Sequence, residues 1–137
     1  MTKVFVNGSF DLLHTGHLDL LKYAKSLGNI LHVALDSDSR VREKKGVDRP
    51  INNEYVRSRI MSDIKYVDSV SIFNTDEELI ETVKHYSPDI MVVGSDWIGK
   101  NIIGSQYSKC VVFFNRVNNE STTATIENYI NRRHLHR

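Results

Sequence analysis

His14 and His17 stand three residues apart with Gly16 between them, inside the stretch "VNGSFDLLHTGHLDLLKYAKSLG". Two imidazoles at that spacing can donate hydrogen bonds to an anion, or hold a transition metal with a third ligand such as Asp11. The flanking segments decide which chemistry has support. "KVFVN" is a short β-rich run, and "LDLLKYAKSLG" repeats apolar residues at helical spacing and ends on Gly28. The loop from Gly8 to Gly16 therefore lies at the end of a strand, and His17 opens the following helix. Backbone N–H groups at a helix start favour an anion, and a polyphosphate fits there. Gly16, lacking a Cβ, lets the backbone approach a phosphate closely or takes a conformation that other residues resist. The plainer alternatives are a satisfied helix start and an ordinary loop glycine. Zinc on His14, His17 and Asp11 has weaker support, because no further ligand cluster accompanies the pair.

The remaining elements must place that loop. "ILHVAL" is apolar enough for a buried strand, followed by a polar loop, "SDSRVREKKGVDRPINN". Residues 54–65 read as helix and "SVSIF" as strand, and Thr75 with Glu78 has the spacing of a capping box. The helix they start runs through Tyr86 and stops before Pro88. "DIMVVG" and "CVVFF" are further strands, and "TTATIENYINRRH" is a closing helix whose basic residues suit its C-terminal end. Strand and helix alternate without repeats, low-complexity tracts or a linker. The pattern predicts an α/β fold: a Rossmann-like, doubly wound parallel sheet of about five strands, with helices on both faces, in a single domain over 1–137. In such sheets the ligand lies beyond the carboxyl ends of the strands, where strand order reverses, and the histidine loop belongs there.

Composition narrows the partners. The 137 residues suit one domain, and 18 Lys plus Arg against 17 Asp plus Glu leave a formal charge of +1. That balance supplies no broad field for nucleic acid or an anionic membrane, so neither partner is expected. Cys110, the single cysteine, permits neither an intramolecular disulfide nor a cysteine-rich zinc site, which fits a reducing compartment. No apolar stretch reaches membrane-spanning length and the N-terminus leads directly into a strand, so the expectation is a soluble cytoplasmic protein.

The full string "GSFDLLHTGHLDLL" resembles the signature of the cytidylyltransferase-like nucleotidyltransferases, whose hallmark is His-x-Gly-His after the first strand. "DRPINNEYVRSRIMSDIKYVDSV", "PDIMVVGSDW" and "NRVNNESTTATI" follow in the order of that family, so the resemblance covers nearly the whole chain. It implies attack by an acceptor phosphate oxygen on the α-phosphorus of a nucleoside triphosphate, with release of pyrophosphate and no covalent enzyme intermediate. Catalysis then reduces to positioning and charge neutralisation.

On that resemblance His14, His17 and Lys44 are the catalytic groups. Lys44 and Lys45 contact acceptor and nucleotide phosphates. Ser9 and Phe10 cover the nucleotide with backbone amides and a ring, beside Gly16. Asp96 and Trp97 face the first strand across the switch point, where the base should lie. Arg116, Ser121, Thr122 and Thr123 grip the β- and γ-phosphates. Asp11 orients the histidine loop, faces the acceptor or a metal, or is a simple turn-stabilising side chain, while Arg57 and Arg59 are either structural or ligand-binding. Mg²⁺ is expected with the triphosphate, held mostly by phosphate oxygens and water. A homodimer is expected from relatives.

Two branches of the family share the resemblance. "GSFDLLHTGH" and "GSDWIGK" are similar to glycerol-3-phosphate cytidylyltransferases; "KGVDRPIN", "FNTDEELIETVKHYSPDIMVVGSDW" and "IIGS" are similar to heptose-1-phosphate adenylyltransferases. The middle of the chain favours transfer from ATP to a phosphorylated sugar, with transfer from CTP to a polyol phosphate as the alternative. "NNE" at 118–120 departs from both branches, which carry a glycine before Ser-Thr-Thr. A non-catalytic nucleotide-binding regulatory module is the rival of another class, opposed by intact His14, His17, Lys44 and Ser121. No Gly-x-Gly-x-x-Gly follows the first strand, which argues against a dinucleotide-dependent oxidoreductase.

Overall fold

Val4, Phe5 and Val6 are all fully buried, which a strand allows only when both its faces are covered. In the computed structural model, which describes residues 1–115, they belong to β1 (Lys3–Gly8) at the centre of a five-stranded sheet. The other strands are β2 (Ile30–Asp36), β3 (Ser69–Phe73), β4 (Ile90–Gly94) and β5 (Cys110–Phe114). All pairings are parallel, in the order β3-β2-β1-β4-β5. Helices α1 (Thr15–Ser26), α2 (Asp38–Lys45), α3 (Glu54–Ser62) and α4 (Asp76–Tyr86) connect them. One core joins Leu20, Leu21 and Ala24 of α1 and Met61 of α3 to β1 and β2; a second joins Leu79 and Val83 of α4 to Phe5 and Met91 on the opposite face. The expected doubly wound α/β sheet with helices on both faces is what forms.

Strand order reverses between β1 and β4, and there the sheet opens. β1 pairs with β2 from Lys3↔Ile30 to Gly8↔Leu35, but with β4 only at Val4↔Ile90 and Phe5↔Met91. Beyond Phe5 and Met91 the carboxyl ends of the two strands part, leaving a crevice at the switch point.

Local chemistry accounts for most boundaries. Thr75 caps α4 by accepting from the Glu78 N–H at 3.1 Å, while the Glu78 carboxylate reaches back to the Asn74 N–H at 2.7 Å. Gly28 ends α1 for a reason of space: a Cβ there would stand 2.7 Å from the Thr2 carbonyl oxygen and from Val4 Cγ2. Two expectations need correction. The stretch read as a polar loop contains α2, capped by Ser37 accepting from the Arg40 N–H at 3.2 Å. Its residues are so polar that only Arg40 and Val41 are buried, leaving no apolar periodicity to read. The α3 helix ends at Ser62, three residues short of the expected 65. The expected closing helix lies outside the described residues. Among those described, no helix is long and apolar enough to cross a membrane.

His32 on β2 carries a pH dependence. Its Nδ1 and Nε2 lie 2.7 Å from Ser69 Oγ and 2.7 Å from Ser71 Oγ, and its ring stacks on Phe5 at 5.7 Å. Burial pushes its pKa below the ordinary histidine value. The unfolded chain therefore binds this proton more tightly, so the contribution is fully present above about pH 6.5 and is lost as pH falls through the folded-state value. Urea midpoints at about pH 7.5 and pH 5 check this: the loss on acidification should be smaller in His32→Gln than in wild type. An equal loss in both would remove His32 from the account.

Candidate active site

The histidine loop is built as a helix cap. His14 is the N-cap of α1, and its Nδ1 accepts the Gly16 N–H at 3.1 Å; the His14 N–H in turn donates to His17 Nδ1 at 3.3 Å. This is a capping box made of two imidazoles, and it explains their spacing, since N-cap and N3 are three residues apart. The rings stack at 3.9 Å between centroids and 25° between planes. A nitrogen that accepts a hydrogen bond carries no proton, so the neutral ring proton resides on Nε2 of each. The pair thus acts as two Nε2–H donors fixed by the helix start, and a second proton on either ring would break its cap bond. The helix opens earlier than expected, at Thr15, so His17 lies inside its first turn. Gly16 has ordinary helical geometry. Of its two expected roles, only close backbone approach survives.

Phe10 needs a larger correction. Its ring is buried in the core with α1 and packs edge-on against His17 at 5.2 Å and 64°, so the ring holds the histidine instead of lying open as a cover, while the role expected of the backbone amide is unaffected. Its backbone sits at φ 48°, in the left-handed region that costs a bulky residue about 1–2 kcal/mol. That strain turns the chain from β1 towards the cap. A buried ring is invisible in a sequence where Ser-Phe-Asp looks like a loop.

Asp11 anchors the same loop. Its carboxylate, 5% exposed as a residue, accepts the Ile51 and Asn52 N–H groups at 2.8 Å each, with Arg49 Nη1 at 3.8 Å. The Asn52 side chain returns a bond to the Asp11 carbonyl at 3.1 Å. Of the readings open for Asp11, this geometry supports orientation of the loop. Among the described residues no group of three or more His, Cys, Asp or Glu side chains is placed to hold a metal ion.

Beside the loop, the parted ends of β1 and β4 border a cavity of about 370 Å³, with Asn7, Gly8 and Val93 at the strand ends. Lys44, Lys45, Asp96, Trp97 and Lys100 surround it. Leu79, Ile102 and Ile103 supply an aliphatic wall. Lys45 Nζ donates to Ser9 Oγ at 2.9 Å. Burial pushes the Lys45 pKa down and the Asp36 carboxylate opposes that shift, so an arriving anion would strengthen the charged form. Lys44 is exposed at the rim. Asp96 and Trp97 form a 3-10 turn directly after β4, with Lys100 Nζ 5.8 Å from the Trp97 ring centroid.

The expected site residues therefore fall into two neighbouring groups. Lys44, Lys45, Asp96 and Trp97 wall the cavity; Ser9, Asp11, His14, Gly16 and His17 form the loop and helix start, outside the cavity wall. The Lys45–Ser9 bond joins the groups. Arg116, Ser121, Thr122 and Thr123 lie outside the described residues, as does the departure at 118–120. Arg59 is exposed, 3.8 Å from Asp63, and Arg57 is buried.

Sequence reasoning missed Arg40, Asp36 and Lys100. Arg40 Nε donates to Asp36 at 2.9 Å and its Nη2 to Asp76 at 2.6 Å, over the Phe73 ring at 4.9 Å. No local signal marked the pair, because Asp36 ends β2 and Arg40 lies in α2, so the helix-face spacing rule does not apply to them.

A parallel sheet that reverses its order beneath a helix N-terminus, with lysines on the facing wall, defines a nucleotide-binding α/β domain adapted to phosphate. A sequence model described as cytidylyltransferase-like matches residues 5–129, and the chain belongs to that family of nucleotidyltransferases. Among curated proteins it is similar to the bifunctional protein HldE of a Nitratiruptor species, 45% identical over 126 residues, or 90% of this chain and 27% of that protein. HldE of Campylobacter fetus subsp. fetus is 42% identical over 125 residues, 91% of this chain and 27% of that one. The chain thus spans about a quarter of the length of these curated relatives. Among solved structures, the lipopolysaccharide core biosynthesis protein from Thermoplasma volcanium aligns with TM-score 0.63 and 27% identity, covering 96% of this chain and 89% of that one. An Archaeoglobus fulgidus protein of unknown function, at TM-score 0.57 and 18% identity over 83% of this chain and 98% of that one, shares the fold.

Proposed function

We propose that this domain transfers adenylate from ATP to a phosphorylated sugar, a sugar 1-phosphate such as heptose 1-phosphate, giving a nucleotide-activated sugar and pyrophosphate. The observation that carries the reading is the histidine capping box, which fixes two Nε2–H donors at a helix N-terminus beside a lysine-walled crevice. The acceptor phosphate is anionic at neutral pH, its second pKa being about 6, so its oxygen attacks the α-phosphorus without a general base. As that P–O bond forms, the bond to the bridging oxygen of the β-phosphate breaks and pyrophosphate leaves with the electron pair. His14 and His17 donate to the α- and β-phosphate oxygens where charge builds. Lys45, desolvated against Ser9, faces the phosphates, and Lys44 at the rim meets the acceptor. Asp96 and Trp97 border the nucleoside, with Trp97 as a packing surface. Arg116, Ser121, Thr122 and Thr123 complete the grip on the β- and γ-phosphates.

The similarity to the HldE proteins over nearly this whole chain, and to a lipopolysaccharide core biosynthesis protein, supports a sugar-phosphate acceptor and ATP. Mg²⁺ belongs to the same reading. Among the described residues the carboxylates at the cavity are Asp36 and Asp96, too few to hold an ion by themselves, which fits an ion that enters on the triphosphate. Bound there, it supplies neutralisation of phosphate charge. A homodimer and a cytoplasmic setting complete the proposal. Pyrophosphate release from ATP in the presence of sugar 1-phosphates tests it.

A further inference from the structure

We propose that Arg57 is a positioning residue that sets the distance between the histidine loop and the lysine-bearing end of α2. Its side chain is fully buried, with 0% exposure. One guanidinium ties three segments: Nη1 donates to the Ser9 carbonyl at 3.0 Å and the Asp36 carbonyl at 2.7 Å, Nη2 to Asp38 Oδ1 at 2.8 Å, and Nε to the Asn52 carbonyl at 2.9 Å. Ser9 follows β1, Asp36 ends β2, Asp38 starts α2 and Asn52 lies in the segment clamped by Asp11.

Burying a charge is costly, and a well-packed apolar side chain commonly stabilises a core at least as well. Here the planar fork of donors fixes directions that no apolar side chain could fix. The segments it ties are those that carry the reacting groups. Ser9 leads into the loop of His14 and His17, and α2 ends in Lys44 and Lys45, with Lys45 Nζ 2.9 Å from Ser9 Oγ. Arg57 does not itself line the cavity but bonds the backbone of Asp36, which does; it acts through the relative placement of the two halves. The effect on rate rests on the nucleotidyl-transfer reading, whereas the effect on Lys45 does not.

The test uses Arg57→Lys, Arg57→Met and Asp38→Ala, the last leaving the guanidinium in place with one tie removed. In the Arg57 variants kcat should fall by about thirtyfold or more with KM for ATP held within about threefold, since a displacement of about 1 Å costs up to a hundredfold in rate. In competitive acylation the labelling of the Lys45 amine relative to the exposed Lys44 should differ between these variants and wild type, because the packing against Ser9 that sets its access and its basicity is altered. Asp38→Ala should show smaller shifts in both readouts and covers the case in which the Arg57 variants do not fold. Wild-type kcat in Arg57→Lys would overturn the proposal, because charge alone would then suffice. So would a loss confined to KM, or unchanged Lys45 labelling in every folded variant. If the wild type transfers no nucleotide, the functional reading fails and the labelling alone decides the positioning role.

Discussion

Replacing His17 with asparagine should lower kcat by at least about a hundredfold in a chain that still folds, the loss expected when a donor to developing transition-state charge is removed. The substitution separates two jobs that one ring performs. His17 Nδ1 accepts the His14 N–H at 3.3 Å, which holds the cap, while Nε2–H is the donor to phosphate. The asparagine amide oxygen stands near the position of Nδ1 and can keep the cap bond, but nothing in asparagine reaches the position of Nε2. His17→Ala removes both groups, so it should match the loss in kcat and add about 1 kcal/mol of destabilisation from the missing cap. Turnover by pyrophosphate release, with urea unfolding of each variant, measures the two losses separately. Near-normal turnover in a folded asparagine variant would contradict the donor role.

Removing divalent metal should abolish turnover, and Mg²⁺ should restore it, while the melting temperature of the nucleotide-free protein stays unchanged. The charge at the cavity leads to this result. Among the described residues Arg40 is committed to Asp36 and Asp76, which leaves Lys44, Lys45 and Lys100 at the cavity, with Asp96 opposing them, to meet a triphosphate and an acceptor phosphate. Three ammonium groups, even with the Arg116 guanidinium assigned to the phosphates, cannot balance that much anionic charge in a confined space. No cluster of ligands among the described residues makes the fold depend on an ion. Activity that survives thorough chelation would contradict the metal-triphosphate picture. A lowered melting temperature on chelation would show that the protein itself holds an ion.

The fold was largely legible because its signals are local and strong. The buried central strands read as apolar runs, and "SVSIF" and "CVVFF" match the half-exposed edge strands β3 and β5 residue for residue. Helix α2 was not legible: Arg40 and Val41 are its only buried residues, and the rest of it is polar or charged. The histidine spacing pointed to a helix start and an anion, but the reciprocal cap that turns both rings into Nε2–H donors is a matter of side-chain direction that spacing leaves open. Phe10 shows the same limit from the other side. Its left-handed backbone swings the ring into the core, and no local pattern encodes that turn. Sequence alone leaves Arg57 open between structural and ligand-binding roles, because its four acceptors, among them Ser9 and Asp36, are far from it in sequence or on its own backbone turn.

Pyrophosphate release from ATP and from CTP, each offered heptose 1-phosphate, glycerol 3-phosphate and a small panel of other phosphorylated sugars, tests the central claim most directly. Release with ATP and a sugar 1-phosphate is the predicted result. Release with CTP and a polyol phosphate would contradict the choice of nucleotide and acceptor, and silence across the panel from a protein that binds nucleotide would contradict transfer itself, leaving a non-catalytic nucleotide-binding module.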